Sequence, residues 1–157
     1  MEMPKLTLSS SPHIQTNENV TTVMRDVIIA LLPATIAAIY YFRFGAIVNI
    51  LVAVLGAVAA EYLIQKLMKK PITIKDYSAA VTGLLLAFNV PSTLPWWMTL
   101  IGSVFAIAVV KQLFGGLGHN FMNPALAARA VLLASWPVEM TSWVTTGADA
   151  VATATPL

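Results

Sequence analysis

Five apolar segments alternate with short polar stretches along the chain. They cover residues about 22–42, 46–67, 77–88, 96–114 and 124–136. At about 1.5 Å per residue, the first two are long enough to cross a hydrocarbon core of about 30 Å. The pattern therefore predicts an all-α polytopic membrane protein with about five transmembrane or half-membrane helices, in a membrane domain at 21–137.

The third and fifth segments are short: at about 1.5 Å per residue, the third measures about 18 Å, roughly half to two thirds of the hydrocarbon core. The fifth begins at Asn123 and Pro124, which suit the N-cap and the first helical position, and Pro137 ends it. Two short, interrupted helices in corresponding positions favour a site built from broken helices near the membrane midplane. The alternative is that both are short or tilted spans with no site.

Polar residues stand at the starts of both short helices. Asp76 and Ser78 precede or open one of them, and Asn120 and Asn123 precede the other. A helix start offers free N–H groups that suit a phosphate, a carboxylate or a ring carbonyl. Ser78, Asn120 and Asn123 are therefore candidate cofactor-binding residues.

The composition agrees with a membrane protein. Hydrophobic residues make up 58% of the chain and charged residues 10%, whereas globular domains carry about 25% charged residues. The chain has no Cys, which excludes disulfides and iron–sulfur ligation by these residues. The acids and the two His residues show no standard metal-ligand spacing, and the net charge of +2 gives no indication of nucleic-acid binding.

The distribution of positive charge predicts the orientation. Four lysines between the second and third segments form the densest basic cluster, namely Lys66, Lys69, Lys70 and Lys75. By the positive-inside rule this loop is cytoplasmic. The N-terminal tail, 1–20, is then cytoplasmic too, and 138–157 form an extracytoplasmic loop if all five segments, including the two short ones, cross the membrane.

Charged residues also occur inside the apolar segments. Glu61 interrupts the second segment and is a candidate for ion movement. Because the lysine cluster follows closely, an interfacial carboxylate is the favoured interpretation. Lys111 is expected to mark the return of the fourth segment to the cytoplasmic side.

The last stretch, 147–157, presents hydroxyl groups among small residues. Asp149 is followed by Thr153, Ala154 and Thr155, and Pro156 favours an extended Thr155. This pattern is typical of a covalent attachment site that a modifying enzyme can reach. The alternative is an ordinary polar loop, since such loops have the same composition.

This stretch resembles the flavin-attachment motif of the Rnf and Nqr redox pumps. Further pieces in the same order resemble the membrane subunit family that contains the D subunit of Rnf and, more distantly, the B subunit of Nqr. They are Ser11-Pro12-His13, Met24, Asp26-Val27, Ala30 to Ala34, Asp76, Ser78-Ala79, Thr82 to Leu85, Gly115 to Gly118, Asn120, Asn123-Pro124-Ala125 and Asp149 to Leu157. Together these pieces extend over nearly the whole chain.

The resemblance implies a flavoprotein of electron transport. It implies that Thr155 accepts FMN through a phosphoester, and that Asp149 and Ala154 belong to the motif. Where the motif commonly has Ser-Gly, this chain has Ala152-Thr153, so Thr153 is a second, less favoured acceptor. It also implies noncovalent riboflavin in the membrane domain, and a fold similar to one repeat of the urea-transporter architecture, in a family about twice this length.

The same resemblance implies the setting of the protein. Its partners are the other Rnf subunits, a flavin transferase and membrane lipid, and the complex couples ferredoxin:NAD⁺ electron transfer to Na⁺ or H⁺ translocation. Two further hypotheses come from other classes. Broken helices alone equally favour a small-solute channel or transporter, and a purely structural membrane protein is the third.

Overall fold

The computed structural model describes residues 19–144 and 152–153. Its helices are α1 (Val20–Leu67), α2 (Ser78–Phe88), α3 (Trp96–Phe105, continued by a π-helix at Ala106–Gln112), α4 (Pro124–Ser135) and α5 (Pro137–Thr141). A 3₁₀ turn at Ile74–Asp76 precedes α2, and the two-residue strands β1 (Trp143–Val144) and β2 (Ala152–Thr153) pair with each other. The predicted all-α membrane architecture is confirmed.

Helix α1 consists of two arms, 20–42 and 44–67, separated by a break at Arg43. Arg43 has φ 50° and ψ −127°, which is not helical. Val20 lines the same cavity as Glu61, and Phe42 lines another beside Asn49, so the arms lie antiparallel. Each arm measures about 35 Å at about 1.5 Å per residue, enough to cross a membrane. Within the described residues, α1 alone has both the length and the hydropathy of a membrane-crossing helix.

Helix α3 runs beside the second arm, 44–67, in the same direction. Near the break, the Thr99 hydroxyl donates to Asn49 Oδ1 at 2.9 Å, and further along Gly56 lies against Ser103. A Cβ on Gly56 would come within 2.5 Å of Ser103 Oγ and 2.8 Å of Leu100 Cδ1, so any larger residue would require these side chains to shift. Close packing through small residues is the usual way in which membrane helices associate.

The two short helices, α2 and α4, pack side by side against α3. Their shared core contains Leu86 of α2 with Ala128 and Leu132 of α4. The Arg129 guanidinium of α4 donates to Asn89 Oδ1, at the end of α2, over 3.2 Å. Both helices therefore start toward the lysine cluster and end toward the opposite side of the bundle.

The end of the bundle away from the lysines is closed by the loop 89–95 and the segment after α4. The Asn49 amide donates to the Pro91 carbonyl at 3.1 Å, and the Thr93 hydroxyl donates to the Ser142 carbonyl at 3.0 Å. Trp97 and Trp136 stack edge to face, with their ring centroids 5.5 Å apart. The chain after α4 thus returns to the same end as Arg43.

Candidate functional site

The predicted attachment motif falls mainly beyond the part of the chain that the structure describes. Asp149, Ala154 and Thr155 lie outside the described residues. The backbone of Thr153 is described, and it pairs with Trp143 in the ladder between β2 and β1. Since Trp143 directly follows Ser142, this ladder belongs to the end of the bundle away from the lysines.

Ser78, the predicted site residue at the start of α2, is buried. Its backbone N–H and its hydroxyl both donate to Asp76 Oδ1, at 2.9 and 2.6 Å. The Lys111 ammonium donates in turn to Ser78 Oγ at 2.5 Å. Asp76 therefore supplies a hydrogen-bond acceptor for the N–H group at the start of α2. The Ser78 hydroxyl links Asp76 to Lys111, in the π-helical continuation of α3.

Ser78 belongs to a group of hydrogen-bonded polar side chains, called the Glu61 cluster, whose members are Glu61, Gln65, Asp76, Ser78, Lys111 and Gln112. At its centre is an ion pair between Glu61 and Lys111. The distance from Lys111 Nζ to Glu61 Oε1 is 2.7 Å, and the two side chains are 2% and 0% exposed, respectively. The amides of Gln112 and Gln65 also donate to Oε1, at 2.9 and 3.2 Å. Desolvated charges of this kind need both a counter-charge and further hydrogen bonds.

Glu61, predicted to be an interfacial carboxylate beside the lysine cluster, is fully enclosed by protein and has Lys111 as its counter-charge. Lys111 itself lies toward the lysine-rich end of the bundle, since the carbonyl of the neighbouring Gln112 accepts from Lys70 at 3.4 Å. Within the π-helix at Ala106–Gln112, Lys111 and Gln112 both contact the same carboxylate. Such π-segments frequently mark functional sites. The sequence signal that could have found the pair was one acid and one base, each inside an apolar segment, since such residues usually pair.

A cavity of about 650 Å³ lies between the Glu61 cluster and the lysine-rich loop. It is lined by Val20, Thr21, Glu61, Gln65, Lys70, Pro71, Thr73, Lys75, Asp76, Gln112, Gly115, Gly116, Leu117 and His119. On one side of the cavity, Gln65 binds the loop at Thr73. Its Oε1 accepts from the Thr73 N–H at 2.9 Å, and its Nε2 donates to the Thr73 hydroxyl at 2.8 Å. The cavity thus places polar and basic groups in front of a buried carboxylate.

Asn123 acts as the N-cap of α4, as the sequence predicted. Its Oδ1 accepts from the N–H groups of Ala125 and Leu126 at 2.9 and 3.4 Å. Asn120 donates to the Met122 carbonyl at 2.8 Å within the preceding loop. Neither residue is among those that line the Glu61 cavity, so the starts of α2 and α4 do not combine into one described pocket.

We expect Asn123→Ala to lower the free energy of unfolding by about 1 kcal/mol, because two N–H groups of α4 lose their acceptor. Asn123→Asp keeps the acceptor and serves as the matched control. Thermal unfolding of the purified chain in detergent measures both. Equal stability of Asn123→Ala and the parent chain would contradict the capping role.

In the described ranges, 19–144 and 152–153, no three His, Asp or Glu side chains are grouped to hold a metal ion. The cavity volume is within the range of about 300–1,000 Å³ that small-molecule sites occupy. Its hydroxyl, amide and carboxylate groups suit a ligand with several hydrogen-bonding groups. The residues present are therefore compatible with a noncovalent organic cofactor.

Comparison with known proteins gives the family. Residues 7–157 match the model of the NQR2, RnfD, RnfE family, a range that includes the whole stretch from Asp149 to Leu157. The chain is 59% identical over 153 residues to the D subunit of the Na⁺-translocating ferredoxin:NAD⁺ oxidoreductase complex of Acetobacterium woodii, covering 97% of this chain and 48% of that protein.

Two further relatives carry similar names. The D subunit of the proton-translocating ferredoxin:NAD⁺ oxidoreductase complex of Clostridium ljungdahlii is 47% identical, over 96% of this chain and 46% of its own length. The D subunit of an ion-translocating oxidoreductase complex of Aliivibrio salmonicida is 45% identical, over 87% of this chain and 40% of its own length. The chain spans about half the length of the curated relatives it matches, or somewhat less. By the match over residues 7–157, the chain belongs to the NQR2, RnfD, RnfE family.

Proposed function

We propose that this chain is an electron-relay part of an Rnf-type membrane complex, which couples ferredoxin:NAD⁺ electron transfer to Na⁺ or H⁺ translocation. The observation that carries the proposal is the similarity over 97% of the chain to a protein of such a complex. The family match also includes the residues of the attachment motif. The other subunits of the complex are its proposed partners.

The proposed cofactor is FMN, joined through its phosphate to Thr155. When bound, the flavin supplies the redox chemistry, while the protein attaches and orients it. The β1–β2 ladder supports the proposal, because it joins the backbone of Thr153, two residues before the acceptor, to Trp143. A flavin on Thr155 would thereby be tethered next to the helices.

A second flavin, riboflavin, is proposed to bind noncovalently near the starts of the short helices. Asn123 is exposed and Asn120 is partly exposed, so both can contact a ligand. Ser78 is buried within the Glu61 cluster and would act through Asp76, which lines the cavity. In this proposal, a ligand in the Glu61 cavity would be held by hydrogen bonds to Asp76, Gln65 and Thr73. Asn120 and Asn123 do not line that cavity and would contact only a part of the ligand that extends beyond it.

The proposed orientation has the lysine cluster in the cytoplasm and Trp143 on the opposite side, within reach of a flavin transferase. The positive-inside rule is its basis. A Cys introduced at Lys70 should resist an impermeant thiol reagent in intact cells and react after the membrane is opened. A Cys at Val138, which is 74% exposed, is the matched control and should react in intact cells. The reverse pattern would invert the orientation.

Flavin fluorescence tests the proposed function against a channel or a purely structural role. After denaturation and gel electrophoresis of the chain from its native membrane, fluorescence should remain with the polypeptide band, since a phosphoester survives unfolding. A channel or a purely structural protein has no such band. A non-fluorescent band from an active complex would contradict the covalent attachment of flavin to this chain.

A further inference from the structure

Arg129 is the only charged residue of α4 and lies in the middle of this apolar helix. Its side chain is partly exposed, and its Nη1 donates to Asn89 Oδ1 at 3.2 Å. The ion pairs among the described residues lie elsewhere, one at the start of α1 and one in the Glu61 cluster. No described carboxylate therefore pairs with Arg129, although an arginine keeps its positive charge in proteins.

The contact with Asn89 fixes the direction of the guanidinium. Asn89 follows the last residue of α2, and its Nδ2 donates to the Leu85 carbonyl at 2.8 Å, which leaves Oδ1 to accept from Arg129. The negative end of the α2 dipole offsets part of the charge. The Nε and Nη2 groups, which no described acceptor reaches, form the edge of a guanidinium that binds both oxygens of a carboxylate.

The position of Arg129 along α4 places it below the membrane surface. Trp136, which directly follows α4, stacks on Trp97 at the start of α3, and tryptophans are typical of the membrane–water interface. Arg129 precedes Trp136 by seven residues, or about 10 Å at about 1.5 Å per residue. Since lipid phosphates lie outside the aromatic belt, the guanidinium held at Asn89 is in the hydrocarbon region, where an unpaired arginine is strongly unfavourable.

The flank of α4 around Arg129 is apolar and open. Leu126 and Leu133 lie three residues before and four residues after Arg129, on the same side of the helix, and are 52% and 41% exposed. Charged residues within membranes usually pair with one another, so this flank suits an apolar helix that carries one carboxylate.

We propose that this flank docks a membrane helix of another subunit of the complex, and that an Asp or Glu of that helix pairs with Arg129. The existence of such subunits rests on the proposed function. The pairing places a carboxylate against the free Nε and Nη2 edge, while Nη1 keeps its bond to Asn89. Arg129 thereby selects a partner helix by charge as well as by apolar contact.

Photo-crosslinking in membranes that contain the complete complex tests the proposal. Benzoylphenylalanine replaces Leu126, beside Arg129, or Val131, which is 37% exposed on the other side of α4, as the matched control. From Leu126 we expect a crosslink to a membrane segment of another subunit, with an Asp or Glu within one helical turn of the linked residue. Val131 should not give this peptide.

Variants of Arg129 separate its charge from its structural contact. Arg129→Gln keeps a donor for Asn89 but loses the charge, and should lower the yield of the Leu126 crosslink at least about tenfold, because truncating one partner of a desolvated charge pair is costly. Arg129→Lys should keep most of the yield. The thermal unfolding midpoint of the purified chain in detergent should be nearly the same in Arg129→Gln and in the parent.

An unchanged yield in Arg129→Gln would overturn the proposal. So would a Leu126 crosslink to lipid only, to this polypeptide itself, or to a peptide without an acid. If Arg129→Gln fails to fold, the crosslink of the chain with Arg129 intact decides. In-gel flavin fluorescence of the same membranes tests the proposed function separately, since fluorescence without the crosslink contradicts the docking alone, and the crosslink without fluorescence contradicts flavin attachment alone.

Discussion

Thr155→Val is expected to remove covalent FMN from the chain completely. A phosphoester needs a hydroxyl oxygen, and valine has the shape of threonine without that oxygen. The residue lies outside the apolar segments, so insertion into the membrane should be unaffected. In-gel flavin fluorescence measures the attached flavin, while the amount of chain in washed membranes measures insertion. Electron transfer by the complex should be lost together with the flavin.

Thr153→Val is the matched control for this prediction. It makes the same chemical change two residues earlier, at the position whose backbone pairs with Trp143. Most of the fluorescence should remain in this variant. If Thr155→Val retained fluorescence while Thr153→Val lost it, the assignment of the acceptor would be wrong.

Lys111→Met is expected to destabilise the chain strongly. Met removes the ammonium but fills similar space, so the Glu61 carboxylate would remain in the core without a direct counter-charge. Breaking a buried ion pair by removing one partner costs about 3–5 kcal/mol. Thermal or denaturant unfolding of the purified chain in detergent measures the loss.

Two controls separate charge from packing. Glu61→Gln combined with Lys111→Met removes both charges and should recover a large part of the stability, because neutral replacement of a buried pair is often tolerated. Arg25→Met breaks an ion pair of 3.3 Å whose side chains are each 61% exposed, and should change stability by less than about 1 kcal/mol. A double variant no more stable than Lys111→Met would argue against an electrostatic cause.

The apolar pattern predicted the helices well because burial in lipid depends on runs of local sequence. The predicted segment 96–114 corresponds to Trp96–Gln112, and 124–136 corresponds to Pro124–Ser135. The cap at Asn123 was also predictable, since an N-cap followed by proline is a local signal. The gap between the predicted segments 22–42 and 46–67 indicates a reversal within residues 43–45. In the structure the reversal needs only one residue of positive φ, Arg43, and it is accompanied by the close approach of Gly45 to Ser92.

The Glu61–Lys111 pair could not be predicted in the same way. The partners are fifty positions apart in sequence, and their contact requires the second arm of α1 and α3 to run in the same direction. It also requires the π-helix at Ala106–Gln112, which the sequence does not mark by any proline or glycine. The nearby lysine cluster favoured an interfacial interpretation of Glu61, because nothing local in the sequence shows that the acid and the base inside two apolar segments are neighbours.

The central claim about this chain is that it carries flavin on Thr155, and peptide mass spectrometry tests it most directly. The chain is purified from its native membrane, digested, and the C-terminal peptide containing Asp149 to Leu157 is fragmented. We predict an added mass of FMN less one water, with fragment ions placing it on Thr155. An unmodified Thr155 in a complex active in electron transfer, or the same mass located on Thr153, would contradict the claim.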